Sequence, residues 1–139
     1  MHSIARPAAA TALFLCIGSP AMADGDDWKS KMGELQRAER LVKASLAVRD
    51  RAEMARQSEV QHEIFMWAAK RTDKSSMQAC LGAIGAFGSF MRTMFGEDKA
   101  ATYVERYDYL TNFRTKMASC ESQLGIPTTP APNLREGAV

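Results

Sequence analysis

The stretch QACLGAIGAFGSFM, residues 78–91, has no charged residue and carries glycines at positions 82, 85 and 88. At helical spacing it forms an apolar stripe with a row of small residues beside it. The apolar stripe consists of Cys80, Ile84, Phe87, Met91 and Phe95. Because a glycine inside a helix costs about 1 kcal/mol, we expect these glycines to allow close packing of a neighbouring helix. Leucine at Gly82 or Gly85 should then destabilise the fold.

The segment that follows, residues 103–124, predicts the neighbouring helix. Its apolar residues recur at steps of three and four: Tyr103, Tyr107, Leu110, Phe113, Met117, Cys120 and Leu124. Gly125 and Pro127 predict its end. The short connection at residues 96–98 implies antiparallel helices, that is, an αα-hairpin. Since Cys80 and Cys120 both lie on the core-facing stripes, we expect them to form a disulfide.

Upstream, residues 28–71 are rich in helix-forming residues and lack proline. One continuous helix of this length would span roughly 65 Å, too long for a small core. It therefore either projects as a coiled-coil arm or breaks, and Asp50 with Glu53 has the pattern of an N-cap near residues 48–51. Asp26 or Asp27 is the expected cap at the start. Glu39 and Lys43 are expected to pair on the exposed side. The buried stripe is predicted as Trp28, Met32, Leu35, Ala38, Val42, Ser45 and Leu46.

These patterns together predict an all-α fold. We expect a three- or four-helix bundle in which a long or broken N-terminal helix packs on the disulfide-tied αα-hairpin, with a turn at residues 72–76. Runs of alternating β-branched residues, which would indicate strands, are absent from the sequence. The helical domain is expected at 24–125, and 126–139 is expected to form a proline-rich mobile tail.

The first 23 residues have the pattern of a secretory signal. Arg6 precedes an apolar run, and Ala21-Met22-Ala23 supplies the small residues of a cleavage site, so we expect cleavage after Ala23 and a periplasmic or secreted protein. The chain holds 18 Lys and Arg against 16 Asp and Glu. Losing Arg6 leaves the mature chain nearly neutral, which argues against nucleic-acid binding. No apolar run of the mature chain predicts a membrane span.

Catalytic and metal-binding patterns are weak. His62 is the single histidine after the signal, and the sequence contains neither a G-x-S-x-G elbow nor a phosphate loop. We therefore expect no enzymatic activity and no cofactor. As an alternative, His62 and Met66 lie one helical turn apart and could ligate copper or haem in a helical-bundle carrier.

The remaining expectation is a protein-binding role. Arg106 and Tyr109 fall off the apolar stripe of their helix and are candidates for partner contact, whereas Tyr103 and Tyr107 are expected in the core. By elimination, the sequence favours a non-enzymatic interaction protein. An inhibitor or immunity protein fits this class, as does an accessory subunit of an envelope or secretion assembly. The partner is expected to be another protein, and assembly into a homo-oligomer stays open.

Overall fold

Two consecutive helices, α1 (Pro20–Val48) and α2 (Arg51–Ala69), fold back on each other at residues 49–50. The computed structural model describes residues 20–95 and 103–128, and the side chains of residues 25–94 and 105–128. Of the two alternatives that the sequence leaves open, the structure has the broken one, and the Asp50 side chain accepts a hydrogen bond from the backbone N–H of Glu53 at 3.0 Å. Arg49 takes a left-handed conformation with φ of 56°, and the amide of Asp50 donates to the carbonyl of Ser45. These contacts terminate α1 in a Schellman-type turn.

The buried stripe of α1 is confirmed. Trp28, Met32, Leu35, Ala38, Val42 and Ser45 are buried, and Leu46 is half-buried. The predicted cap is wrong, since α1 begins at Pro20 and Asp26 and Asp27 lie inside the helix. The Trp28 ring meets Trp67 of α2 edge to face, with centroids 4.9 Å apart, so α1 and α2 run antiparallel.

The predicted turn after α2 holds a short 3₁₀ helix, Lys74–Ser76. Trp28 Nε1 donates to Asp73 Oδ2 at 3.0 Å, which fixes the turn against the first described turns of α1. Arg71 pairs with both Asp27 and Asp73 and lies over the ring of Trp67. The indole nitrogen is therefore satisfied although the ring is fully buried.

Helices α3 (Gln78–Phe95) and α4 (Tyr103–Leu124) pack against each other and are joined by the predicted disulfide. The Cα atoms of Cys80 and Cys120 are 4.7 Å apart. Phe87 and Phe113 meet with centroids 4.9 Å apart, so the two helices run antiparallel. Residues 96–98 lie outside the described residues, and the hairpin connection stays a prediction. Gly125 ends α4 with φ of 67°, as the sequence predicts.

The four helices form a closed ring in the order α1, α2, α3, α4. Helix α2 contacts α3 where Gln61 Nε2 donates to the carbonyl of Ile84 at 3.0 Å. Helix α4 returns to α1 where Arg114 bonds Glu39 at 2.8 Å. The buried stripes of all four helices meet in one cluster along the axis. The fold is thus an all-α four-helix bundle over the described residues, in which no strand occurs.

The predicted signal and the predicted tail lie mostly outside the described residues. Residues 1–19 of the predicted signal and residues 129–139 of the predicted tail lie outside the described residues. Among the helices of residues 20–95 and 103–128, none combines the length and the apolar character that crossing a membrane requires.

Candidate functional site

A groove of about 850 Å³ runs between α2 and α3 on the outside of the bundle. We name it the α2–α3 groove. Its α2 side presents small residues, Ala55 and Ser58, and its α3 side presents Gly85 and Gly88. The described residues that line it are Ala55, Ser58, Glu59, Gln61, His62, Glu63, Phe65, Gly85, Gly88 and Arg92. Gly85 and Gly88, two of the three glycines that the sequence singled out, therefore form the floor of a surface depression, whereas Gly82 does not line it.

This placement corrects the packing role expected for the glycines. A Cβ atom added at Gly85 would meet no described atom within 4 Å, so no described neighbour packs closely there. At Gly82 it would meet the Lys116 side chain of α4 at an ordinary 3.4 Å. Only Gly88 is approached closely, since its Cβ would lie 2.5 Å from Gln61 Nε2. The close neighbour is thus a polar side chain of α2, not the aromatic face of α4.

The rim of the α2–α3 groove carries charge and one large apolar side chain. Glu59 and Glu63 lie one turn apart on α2 and are both exposed. Across the groove, Arg92 donates to Ser89 Oγ at 3.1 Å. Phe65, which lines the groove, is 46% exposed. The groove thus combines a flat floor, a net acidic rim and an aromatic anchor.

The two metal candidates lie on the same helix as this rim. His62 is exposed and lines the groove, and Met66 is 41% exposed. Within residues 20–95 and 103–128, no group of three or more His, Cys, Asp and Glu residues is arranged to hold a metal ion. The copper or haem carrier stays a prediction.

The partner-contact candidates lie on α4. Tyr109 is 43% exposed, as expected for a surface residue, whereas Arg106 is half-buried and its Nε atom has no hydrogen-bond partner among the described residues. Tyr107 corrects the sequence analysis, because it is 52% exposed instead of lying in the core. The side chain of Tyr103 lies outside the described residues. Neither Arg106 nor Tyr109 lines the α2–α3 groove.

On the opposite side of the bundle, charged residues are buried between α1 and α4. Glu39 is 3% exposed and Glu121 is fully buried. Arg114 bonds Glu39 Oε2 at 2.8 Å and Glu121 Oε1 at 3.4 Å. Gln36 Nε2 donates both to Glu121 Oε2 at 2.7 Å and to the carbonyl of Pro127 at 2.8 Å. We call these four side chains, Gln36, Glu39, Arg114 and Glu121, the α1–α4 charge cluster.

The environment of Glu39 differs from that of an ordinary surface carboxylate. Burial away from water raises the pKa of Glu39 to about 7. Arg114 acts in the opposite direction, and the negative charge of Glu121 adds to the rise. Its Oε1 atom is buried and has no hydrogen-bond partner in the described part of the chain. The sequence-based pairing of Glu39 with Lys43 on the exposed side is therefore wrong.

Sequence reasoning missed this cluster, although part of its signal is local. Arg114 and Glu121 are seven residues apart and so share a helix face, and Glu121 directly follows the core residue Cys120. Gln36 and Glu39 are likewise three apart. These spacings indicate polar faces at the edge of the apolar stripes. They do not indicate that the two faces meet.

Comparison with known proteins supplies no family and no relative. No family model matches the chain, and no match was found among the curated proteins or the solved structures. The function is therefore inferred from the geometry of the α2–α3 groove and of the α1–α4 charge cluster.

Proposed function

We propose that the protein is a small exported protein without enzymatic activity that binds a partner protein along the α2–α3 groove. The observation that carries this proposal is the glycine floor. A helical glycine costs about 1 kcal/mol relative to alanine, yet nothing within the described fold occupies the space above Gly85. Residues that disagree with the local structural preference occur most often at functional sites. Partner binding therefore gives a reason for Gly85, which stability does not explain.

The shape of the groove favours an α-helix as the bound element. Small side chains follow one another at a spacing of three residues on both walls, at Ala55 and Ser58 on α2 and at Gly85 and Gly88 on α3. A helix laid in a groove of small residues brings its backbone close to the floor and buries apolar surface along its length. Phe65 at the rim supplies an aromatic anchor of the type that dominates binding energy at interfaces.

The charges favour a basic partner. Glu59 and Glu63 place two carboxylates on one wall, against the single guanidinium of Arg92, which is already engaged with Ser89. Complementary charge across an interface contributes chiefly to specificity and to the association rate. We therefore commit to a partner helix that combines small residues with lysine or arginine facing Glu59 and Glu63.

Within this class, an inhibitor or immunity protein fits better than a coiled-coil arm of an assembly. The stretch that could have projected as an arm breaks at Asp50 and folds back, so that both helices contribute to one core. Export rests on the signal-like segment 1–23 with cleavage after Ala23, and the disulfide is the type of crosslink that persists in an oxidising compartment such as the periplasm. The mass of the protein purified from the periplasm tests the cleavage.

The binding proposal is tested by site-specific photo-crosslinking in the native host. A photoreactive benzoylphenylalanine replaces Phe65 in one variant and the exposed Thr111 of α4 in a control. We expect the residue-65 probe to label one protein within a helix that contains lysine or arginine. Glu59→Lys with Glu63→Lys should reduce this labelling at least about 10-fold, whereas Glu34→Lys, an exposed charge reversal on α1, should not.

Two outcomes would overturn this proposal. Equal labelling from residues 65 and 111, unaffected by charge reversal, would show that the α2–α3 groove selects nothing. Crosslinks between two copies of this chain, accompanied by a dimer in light scattering, would replace the basic partner with a second copy.

A further inference from the structure

Charged and polar side chains bond directly across the contact between α1 and α4. Arg114 reaches from α4 to Glu39 on α1, and Gln36 reaches back to Glu121. Gln36 also holds the carbonyl of Pro127, so the same residues fix the chain just beyond α4. Buried ion pairs of this kind are favourable only when their charges and hydrogen bonds are balanced.

We propose that the α1–α4 charge cluster is a proton-operated latch, in which uptake of one proton by Glu39 fastens α4 to α1. The α2–α3 groove and its proposed partner play no part in this latch. The latch depends on the burial of Glu39 and on its Oε1 atom, which has no hydrogen-bond partner among the described residues.

The cluster holds two carboxylates and one guanidinium in a nearly water-free position. An ionised carboxylate at Glu39, which is 3% exposed, is costly to keep away from water. Glu39 Oε1 is the atom available to take a proton, because it has no hydrogen-bond partner within the described residues, whereas Oε2 accepts from Arg114. Protonation at Oε1 leaves a neutral acid at Glu39 and removes this cost.

The groups around Glu39 make it the titrating member. The charges that act on it are Arg114 and Glu121 from α4 and Arg40 on its own helix. The charged residues of α2 are exposed, apart from the half-buried Glu53, which pairs with Arg56. Within Gln78–Phe95, the one charged residue of α3 is the exposed Arg92. Neither α2 nor α3 therefore contributes a described buried cation beside Glu39.

The direction of the pH effect follows from linkage. The pKa of Glu39 is raised from 4.5 to about 7 in the folded protein, so between these values the folded state binds more protons than the unfolded state. Stability therefore rises as the pH falls through this window, and it is lost as the pH rises through about 7. The pKa values of Glu53 and Asp73 are lowered in the folded protein, so these carboxylates change the folding stability at pH values below this window.

Thermal unfolding from pH 8 to pH 5 tests the latch with Glu39→Gln, which mimics the protonated acid. We expect the melting temperature of the wild-type protein to rise by roughly 5–10 °C on acidification. The melting temperature of Glu39→Gln should stay, from pH 8 to pH 5, near the value that the wild-type protein reaches at pH 5. Glu34→Gln, an exposed change on the same helix, should keep the wild-type slope. The proposal fails if Glu39→Gln keeps the slope, or if Glu34→Gln removes it as well.

Two further measurements test whether protonation of Glu39 itself tightens the contact between α1 and α4, or whether Glu39→Gln only raises the stability of the whole fold. Hydrogen exchange, corrected for intrinsic rates, should show α4 gaining protection relative to α2 as the pH falls in the wild type but not in Glu39→Gln. Carbon-13 NMR of the wild-type carboxyl groups should show Glu39 titrating near pH 7. Titration near 4.5 would overturn the proposal even if the variant failed to fold. Neither result bears on groove binding, so the two proposals can fail separately.

Discussion

Alanine substitutions at Gly85 and Gly88 should have different effects, although both glycines lie on α3 and line the same groove. At Gly85 the new methyl group would enter open space. At Gly88 it would lie 2.5 Å from Gln61 Nε2 and 3.0 Å from Gln61 Cδ. The Gln61 side chain would have to move, and its 3.0 Å hydrogen bond to the carbonyl of Ile84 would be lost.

The magnitudes follow from two opposing terms. Replacing an interior helical glycine by alanine stabilises a helix by about 1 kcal/mol. Gly85→Ala should receive this gain in full, which raises the melting temperature by about 4 °C for a domain of this size. Gly88→Ala should lose about 1 kcal/mol with the Gln61 hydrogen bond, so its net change in unfolding free energy is near zero. The two variants should therefore differ by about 1 kcal/mol.

Urea unfolding of both variants, alone and in a Gln61→Ala background, measures these terms. Removing the Gln61 side chain should restore the full gain of Gly88→Ala and leave that of Gly85→Ala unchanged, giving a coupling energy of about 1 kcal/mol for the 61–88 pair alone. Equal gains at both positions would show that Gln61 does not pack over Gly88. A loss of stability for Gly85→Ala would refute the open groove and restore the close-packing interpretation.

Three further changes have outcomes that the structure sets. Replacing Cys80 and Cys120 by serine should lower the unfolding free energy by about 4 kcal/mol, since the crosslink spans 40 residues, and alkylation mass spectrometry of the wild type should modify neither thiol without reductant. Asp50→Ala should cost about 1 kcal/mol by removing the N-cap of α2, and Asp50→Ser should recover most of it, as urea titration can show. Trp28→Phe should cost about 1–2 kcal/mol because the ring remains buried but the bond to Asp73 is lost, whereas the same loss measured in an Asp73→Ala background would contradict this account.

The parts of the fold that could be predicted from the sequence are those determined within a few turns of helix. The stripe from Trp28 to Ser45 is a matter of spacing, and the cap at Asp50 needs only its partner three residues on. The disulfide was predictable because only Cys80 and Cys120 follow the expected signal and both fall on apolar stripes.

The errors come from contacts that spacing cannot supply. Glu39 has a local partner in Lys43, four residues away, but its actual partner is Arg114, 75 residues along the chain. A local pair on an exposed face gains only a few tenths of a kcal/mol, so the largely buried guanidinium of Arg114, which bonds both Glu39 and Glu121, displaces it easily. Similarly, the glycine row of α3 does not indicate which of its positions a neighbour approaches, since Gln61 of α2 lies over Gly88 whereas Gly85 has no described atom above it. Tyr107 has the correct spacing for the core yet is exposed.

The positions of the two sites in the ring limit how they can influence each other. The α2–α3 groove and the α1–α4 charge cluster lie at opposite contacts, with the buried stripes of all four helices between them. Closely packed cores move as rigid elements and do not deform continuously. Protonation of Glu39 can therefore change the shape of the α2–α3 groove only by displacing a whole helix. Neither wall of the groove belongs to α1 or α4. Proton uptake by Glu39 is therefore expected to change the stability of the contact between α1 and α4. It should leave the partner specificity of the α2–α3 groove unchanged.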